Sequence, residues 1–242
     1  MIVTGASEGI GAALTEALQG RGAKVVLVAR NEERLRARAK PGDLVIAGDL
    51  TDQVFRQDLI GHALAHFGRV DCLINNAGRG SYYNAVETPL DEARSLFELN
   101  FFAPYHLAQL LAAHLRKVQG TIVNVSSIAG QISLPWLPLY SATKFALASL
   151  TSTQRMELRK DGVHVMGVFP GYVDTAFQDH AAGGKPPASI VKGKKYSVSA
   201  AACAETIVSG IEKRRTTVVT PKTGWVPVMI ARLWPGFFES RF

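Results

Sequence analysis

Short apolar, β-branched runs alternate along this chain with longer stretches whose apolar positions recur at helical spacing. "KVVLVA" (24–29), "DLVIAG" (43–48), "VDCLIN" (70–75), "TIVNVS" (121–126), "VHVMGVF" (163–169) and "TTVVT" (216–220) are five to seven residues long. They show little polar alternation, which predicts strands buried on both faces of a parallel sheet. Between them, "GIGAALTEALQGRG" (9–22), "QVFRQDLIGHALAHFG" (53–68), "LDEARSLFELNFFAPYHLAQLLAAHLRKV" (90–118) and "YSATKFALASLTSTQRMELRKDG" (140–162) read as helices. Most end in glycine or basic residues, as helix C-termini do. Strands alternating with helices, joined by right-handed crossovers, form a doubly wound α/β sheet with helices on both faces. The opening strand is only "MIV", which leaves open either a true start upstream of Met1 or a trimmed chain.

At 242 residues the chain fits one domain with a full core, and we take 1–242 as a single unit. A hydrophobic fraction of 47% with 19% charged residues excludes a disordered or fibrous chain. Cys72 and Cys203 have no CxxC or Cys/His companion spacing, so neither a metal site nor a disulfide framework is expected. The net charge of +7 is spread over "RLRARAK" (34–40), "KGKK" (192–195) and "EKRR" (212–215) without interleaved aromatics, so no nucleic-acid partner is expected. "MIVTGASEG" lacks the basic start and apolar run of a secretory signal, which points to a cytoplasmic location. "WVPVMIARLWPGFF" (225–238) is broken by Pro227, Arg232 and Pro235 and is too short to span a bilayer. The apolar extension at about 221–242 fits peripheral contact with a membrane surface beside Arg232 and Arg241, or a cover over a neighbouring subunit. "QDHAAGGKPPASIVKGKKYS" (178–197) is long and rich in Gly, Pro and Lys. We place a substrate loop at about 172–198.

"TGASEGIG" (4–11) follows an apolar start and precedes a helix, the strand–turn–helix context of a phosphate-binding turn. Gly5 allows a tight turn, while Gly9 and Gly11 let a pyrophosphate and the helix approach closely. The helix N-terminus then offers free N–H groups and partial positive charge. In Rossmann-type dinucleotide folds an acid about twenty residues on holds the ribose 2′-hydroxyl, whereas a base there accepts a 2′-phosphate. Arg30 stands at that place, and a guanidinium fork suits a phosphate, so NADP(H) is favoured over NAD(H). Glu8 weakens that preference slightly, since an acid in the turn would lie near the same phosphate.

Several motifs occur in order: TGxxxGxG at Thr4–Gly11, NNAG at Asn75–Gly78, Asn100 in "FELN", Ser127, the YxxxK of Tyr140 and Lys144, and Pro170–Gly171. Over residues 1 to about 175 the chain resembles the short-chain dehydrogenase/reductase family. That resemblance implies a Rossmann-type fold, a homodimer or homotetramer, and a small-molecule carbonyl or alcohol as substrate. It implies catalytic roles for Asn100, Ser127, Tyr140 and Lys144. It also implies cofactor contacts from Gly5, Ser7, Gly9, Ile10, Gly11, Asp49, Leu50, Asn76, Ala77, Gly78, Tyr140, Lys144, Pro170, Gly171, Val173 and Thr175. By itself Asp49 would also serve to cap the helix near Asp52, and Thr175 to sit in a loop.

Chemistry supports the catalytic set independently. Reducing a ketone by hydride leaves an alkoxide-like oxygen, which needs a proton donor and a hydrogen-bonding partner. Tyr140 can donate, but its ordinary pKa of about 10 poises it poorly. Lys144 lies one helical turn on. Moving a phenol from about 10 to about 7 takes roughly 4 kcal/mol, the size expected from an ammonium about 4 Å away at an effective dielectric near 20. Ser127 would hold the carbonyl oxygen; the family resemblance, not this chemistry, implies that Lys144 also binds the nicotinamide ribose and that Asn100 holds a water extending the proton path. Taken singly, Tyr-x-x-x-Lys is an amphipathic helix edge and Ser126–Ser127 an ordinary turn. Together with the glycine turn and NNAG they read as a site.

Leu134, Trp136, Leu137 and Tyr172 are expected to wall an apolar substrate pocket. Carrier-linked oxoacyl reductases of this family tend to end in a glycine-rich strand, whereas this chain ends "TPKTGWVPVMIARLWPGFFESRF". A free, fairly apolar ketone or aldehyde therefore ranks above an acyl-carrier substrate. The expected activity is NADP(H)-dependent interconversion of that carbonyl with its alcohol. The alternatives are an NAD-dependent alcohol dehydrogenase and a dinucleotide-binding sensor or scaffold without turnover.

Overall fold

The computed structural model describes residues 1–184 and 197–241. Residues 185–196 of the expected substrate loop, with the "KGKK" cluster, and Phe242 lie outside the described residues. Seven parallel strands form the central sheet: β1 (Ile2–Thr4), β2 (Val26–Ala29), β3 (Leu44–Ala47), β4 (Cys72–Asn75), β5 (Thr121–Val125), β6 (His164–Pro170) and β9 (Thr217–Thr220). Their order is β3-β2-β1-β4-β5-β6-β9, so the winding reverses between β1 and β4. A parallel pair, β7 (Val173–Asp174) with β8 (Val198–Ser199), frames the loop after β6.

Alternate strand residues feed two cores, which is why the strands read as continuously apolar. Ile2, Val26, Val28, Leu73, Ile122 and Val165 pack with Leu59 and Ala63 of α3 (Gln53–Phe67) and Leu107, Leu111 and Leu115 of α5 (Ala103–Val118). Val3, Leu27, Ile74, Val123, Met166 and Val168 pack with Leu14 and Leu18 of α1 (Gly9–Gln19) and Ile207 and Val208 of α7 (Ala200–Glu212). Leu35 of the short α2 (Glu32–Arg36) joins this second core. Cys72 and Cys203 are both buried free thiols.

The helix expected over 90–118 is not continuous. It divides into α4 (Leu90–Phe97), a π-helical turn (Glu98–Phe102) and α5, and the Ala103 N–H reaches back five residues to the Glu98 carbonyl. Pro104 lacks the N–H that would bond the Asn100 carbonyl, so the ordinary ladder fails at this point and widens. Helix α6 (Pro138–Leu158), which carries Tyr140 and Lys144, starts with proline in its first turn, a position where the missing donor costs nothing. Beyond β9 lie α8 (Trp225–Leu233) and α9 (Pro235–Glu239). Trp225, Val226, Met229 and Leu233 share one exposed face of α8, and Arg232 donates to Gln131 Oε1. No helix among the described residues is long and apolar enough to cross a membrane.

Helix α1 sits hard against the turn that precedes it. A Cβ on Gly11 would lie 2.0 Å from the Gly5 carbonyl oxygen and 2.5 Å from Asn76 Nδ2, whereas one on Gly61, exposed on α3, meets nothing within 4 Å. Gly11→Ala is therefore expected to destabilise by about 1–3 kcal/mol through overpacking. Gly61→Ala is expected to stabilise by about 0.5–1 kcal/mol through helix propensity. Chemical denaturation of the two variants, giving shifts of opposite sign, checks this packing.

Candidate active site

The carboxyl ends of β1, β4, β5 and β6 open on one cleft of about 700 Å³, at the edge of the sheet reversal where α/β folds bind their ligands. At its first wall, Gly9 adopts φ +54° and a Cβ there would press on Thr175 at 3.3 Å. Glu8 stands at the N-cap without a side-chain cap bond, so the first N–H groups of α1 have no such acceptor. Thr4 Oγ1 accepts from the N–H groups of both Asn76 and Ala77, and Asn76 Nδ2 donates to the Thr4 carbonyl at 2.9 Å. The glycine turn and the NNAG loop are thereby one unit.

Gly5, Ser7, Gly9, Ile10, Arg30, Asp49, Leu50, Asn76, Ala77, Gly78, Ser127, Tyr140, Lys144, Pro170, Gly171, Val173 and Thr175 all line this cleft. Gly11 and Asn100 do not. Gly11 is buried beneath the turn, as described above. Asn100 is wholly buried in the π turn behind Gly78. Its Oδ1 accepts from Arg79 N, and its Nδ2 donates to the Arg79 carbonyl and to Thr143 Oγ1. Thr143 Oγ1 in turn donates to the Tyr140 carbonyl at 2.8 Å. Both amide hydrogens of Asn100 are thus used to hold the loop after β4 against the first turns of α6.

Ser127 stands at the end of β5, where its Oγ accepts from Ala129 N and donates to the Pro170 carbonyl at 3.4 Å. Ser127 and the Tyr140 phenol line the same stretch of the cleft, and the serine hydroxyl favours the charged form of the phenol. Ser126, by contrast, turns its hydroxyl to the Lys144 carbonyl. Lys144 is 3% exposed. Its Nζ donates to the Val125 carbonyl at 3.0 Å and lies 5.8 Å from the Tyr140 ring centroid. Burial pushes the Tyr140 phenol up to about 12, the Ser127 hydroxyl opposing only part of that shift. Burial also pushes Lys144 down to about 8. The expected lowering of Tyr140 by Lys144 is therefore not what the protein alone produces: burial dominates both groups, and each moves toward its neutral form.

At the opposite end of the cleft Asp49 Oδ1 accepts from Thr51 N and Oγ1. Burial opposes its charge, but these bonds and nearby Arg30 outweigh it and hold Asp49 below the usual carboxylate range. Asp52, not Asp49, caps α3. The cleft also gathers Asn31, Arg34, Arg79, Tyr82, Phe177 and His180, which the sequence motifs did not single out. Arg79 spends its charge on Glu92. Phe177 packs against the Tyr140 ring at 5.7 Å. Leu134, Leu137 and Tyr172 line the cleft as expected, whereas Trp136 is not among its residues: it is 42% exposed at φ +67°. Among the described residues no group of three or more His, Cys, Asp or Glu side chains could hold a metal ion.

The family described as short chain dehydrogenase matches residues 1–184. A mouse (Mus musculus) L-fucose dehydrogenase is 35% identical over 201 residues, covering 80% of this chain and 72% of the relative. A short chain dehydrogenase/reductase of Burkholderia phymatum in complex with NAD superposes with a TM-score of 0.87 at 25% identity, over 98% of this chain and 93% of its own. A short chain dehydrogenase of Burkholderia cenocepacia in complex with NADP gives 0.83 at 26% identity, over 99% and 95%. This chain belongs to the short-chain dehydrogenase/reductase family and is an NAD(P)-dependent oxidoreductase.

The buried ammonium has a signature in stability. Below about pH 8 Lys144 is charged whether the chain is folded or not, and the folded state bears the desolvation cost. Between about 8 and its ordinary 10.5 the folded chain has lost the proton and the unfolded chain keeps it, so stability rises with pH. Tyr140 acts in the opposite sense from about 10 to about 12. Relative to Lys144→Met, the wild-type unfolding free energy is expected to gain on the order of 3 kcal/mol from pH 8 to 10.5. Denaturant melts that run parallel for the two proteins across this range would contradict the burial argument.

Proposed function

We propose that this chain reduces a fairly apolar ketone or aldehyde to its alcohol with NADPH, Tyr140 acting as general acid. The observation that carries the proposal is the meeting of Ser127, Tyr140 and Lys144 in the one cleft that also holds the glycine turn. The residues fit a dinucleotide. The glycine cradle has no room for a side chain at Gly11, the N–H groups that begin α1 suit a pyrophosphate, and Arg30 and Arg34 lie together in the cleft with Asp49 and Leu50. An ammonium carries three donors. Lys144 gives one to Val125 and has two more for the hydroxyls of a ribose.

A nicotinamide held in this cleft would supply hydride to the carbonyl carbon. Negative charge then gathers on the carbonyl oxygen, which must lie within reach of both hydroxyls. Ser127 Oγ orients that oxygen and Tyr140 Oη gives it a proton. A phenol pushed up to about 12 is fully protonated at neutral pH, as a reductase needs at the start of turnover. Lys144, and any positive charge near the phenol, stabilises the phenolate left behind. Asn100 acts as a positioning residue: through Thr143 it fixes the first turn of α6, where Tyr140 stands. The walls at Tyr82, Leu134, Leu137, Tyr172 and Phe177 are apolar or aromatic, and Arg79 is neutralised by Glu92. This lining favours an apolar substrate over a charged one.

Tyr140→Phe keeps the ring and removes the proton donor. NADPH oxidation over a panel of carbonyl compounds is expected to fall by about 10²–10⁴-fold. Turnover unchanged by that substitution would leave the mechanism without its acid. For the cofactor, Arg30→Ala is expected to raise KM for NADPH at least tenfold more than for NADH, since only the former carries the phosphate. Equal effects on the two would remove the NADP(H) preference.

A further inference from the structure

Glu8 is the residue before α1, with an extended backbone (φ −157°, ψ 174°) and no bond from its carboxylate to the helix N-terminus. An acid at this position ordinarily turns back to accept from the free N–H groups of the first turn. This one instead faces the side chains of Arg34 and His180. Oε2 accepts from Arg34 Nη1 at 2.7 Å, and Oε1 lies 3.3 Å from His180 Nε2. The three residues come from the turn after β1, from α2, and from the loop after β7, and all three line the cleft.

Arg34 lies one helical turn beyond Arg30, and Asn31 caps α2 by accepting from the Arg34 N–H. These residues follow the end of β2, where a dinucleotide fold reads the ribose 2′ position. Of the two arginines there, Arg34 already holds an anion. The Glu8 and Arg34 side chains are 41% and 55% exposed, so the pair is weak and exchangeable in water. A 2′-phosphate would compete for the same guanidinium with a stronger, bidentate geometry. It would also meet the displaced Glu8 carboxylate as a like charge. Neither penalty applies to a 2′-hydroxyl, which can itself donate to a carboxylate.

We propose that Glu8 is an internal competitor for the 2′-phosphate, holding Arg34 in the cofactor-free protein and thereby setting the affinity for NADP(H) relative to NAD(H). This inference rests on the dinucleotide reading above. It makes Glu8 a selectivity residue that acts against the very preference Arg30 and Arg34 create. His180 gives Glu8 a second partner, so the carboxylate stays in the cleft when Arg34 turns to a phosphate.

The experiment is a fluorescence titration of the full chain with NADPH and with NADH, each variant first confirmed as folded by its thermal transition. Glu8→Gln is expected to tighten NADPH about five- to tenfold and to shift NADH by less than twofold. The double variant Glu8→Gln/Arg34→Ala is expected to lose that gain, because the freed partner is gone. Glu8→Ser, which offers α1 a better cap, is the second variant should the glutamine protein be unstable, and it should move the NADPH/NADH ratio in the same direction. If both dinucleotides bind but neither single variant changes their ratio, or if the gain survives loss of Arg34, the competitor role is overturned. Failure of both dinucleotides to bind the wild-type chain overturns the dinucleotide reading, and this proposal with it.

Discussion

The site depends on one small knot of hydrogen bonds where the sheet reverses direction. Thr4 at the end of β1 receives the N–H groups of Asn76 and Ala77 and gives its own hydroxyl hydrogen to the Ile74 carbonyl. Asn76 returns its side-chain amide to Thr4 and Gly5. Two loops leaving neighbouring strands in opposite senses would otherwise be free to drift apart. Tied together, they aim the start of α1 and the Gly78–Arg79 turn into the same cleft. A second knot, from Asn100 through Thr143 to the Tyr140 carbonyl, sets α6 against that turn. Because buried polar groups must be satisfied or bear the full cost of desolvation, these knots leave the loops little alternative geometry.

Desolvation also governs the reactive groups. Tyr140 and Lys144 are 8% and 3% exposed, and burial drives their pKa values apart in the sense that favours both neutral forms. The protein therefore stores a phenol that holds its proton and an amine that gives one up near pH 8. Charge at the far end of the cleft is arranged differently. There the acids Glu8 and Asp49 face Arg34 and Arg30 across partly solvated surface, where individual pairs are weak and can be exchanged for a ligand's charge. One cleft thus combines a dry, apolar end suited to proton transfer with a wet, ionic end suited to recognition.

Much of this was legible in the chain. The six strands expected after the opening one lie within a residue or two of their expected ends, because continuous β-branched runs have few other uses in a protein this size. The glycine turn was readable because Gly9 takes a positive φ and Gly11 marks a position where a side chain has no room. Other features were not. The π turn at Glu98–Phe102 hid inside an apparently unbroken helical pattern, and its one clue was Pro104. Arg34 looked like any charge on a surface helix until α2 was seen to end beside Glu8. Trp136 read as a pocket wall from its chemistry alone, but its backbone turns it outward.

By itself the sequence determined the fold class, the phosphate-binding turn, and the identity and spacing of Ser127, Tyr140 and Lys144, since local periodicity and an i, i+4 helical offset are properties of the chain alone. Tertiary structure decided which groups meet across long separations: Tyr140 with Ser127, Asn100 with Thr143, Glu8 with Arg34 and His180. It also decided their protonation, because a pKa follows from how much water the surrounding core removes. That quantity has no local signature, and exists only once distant segments have packed together.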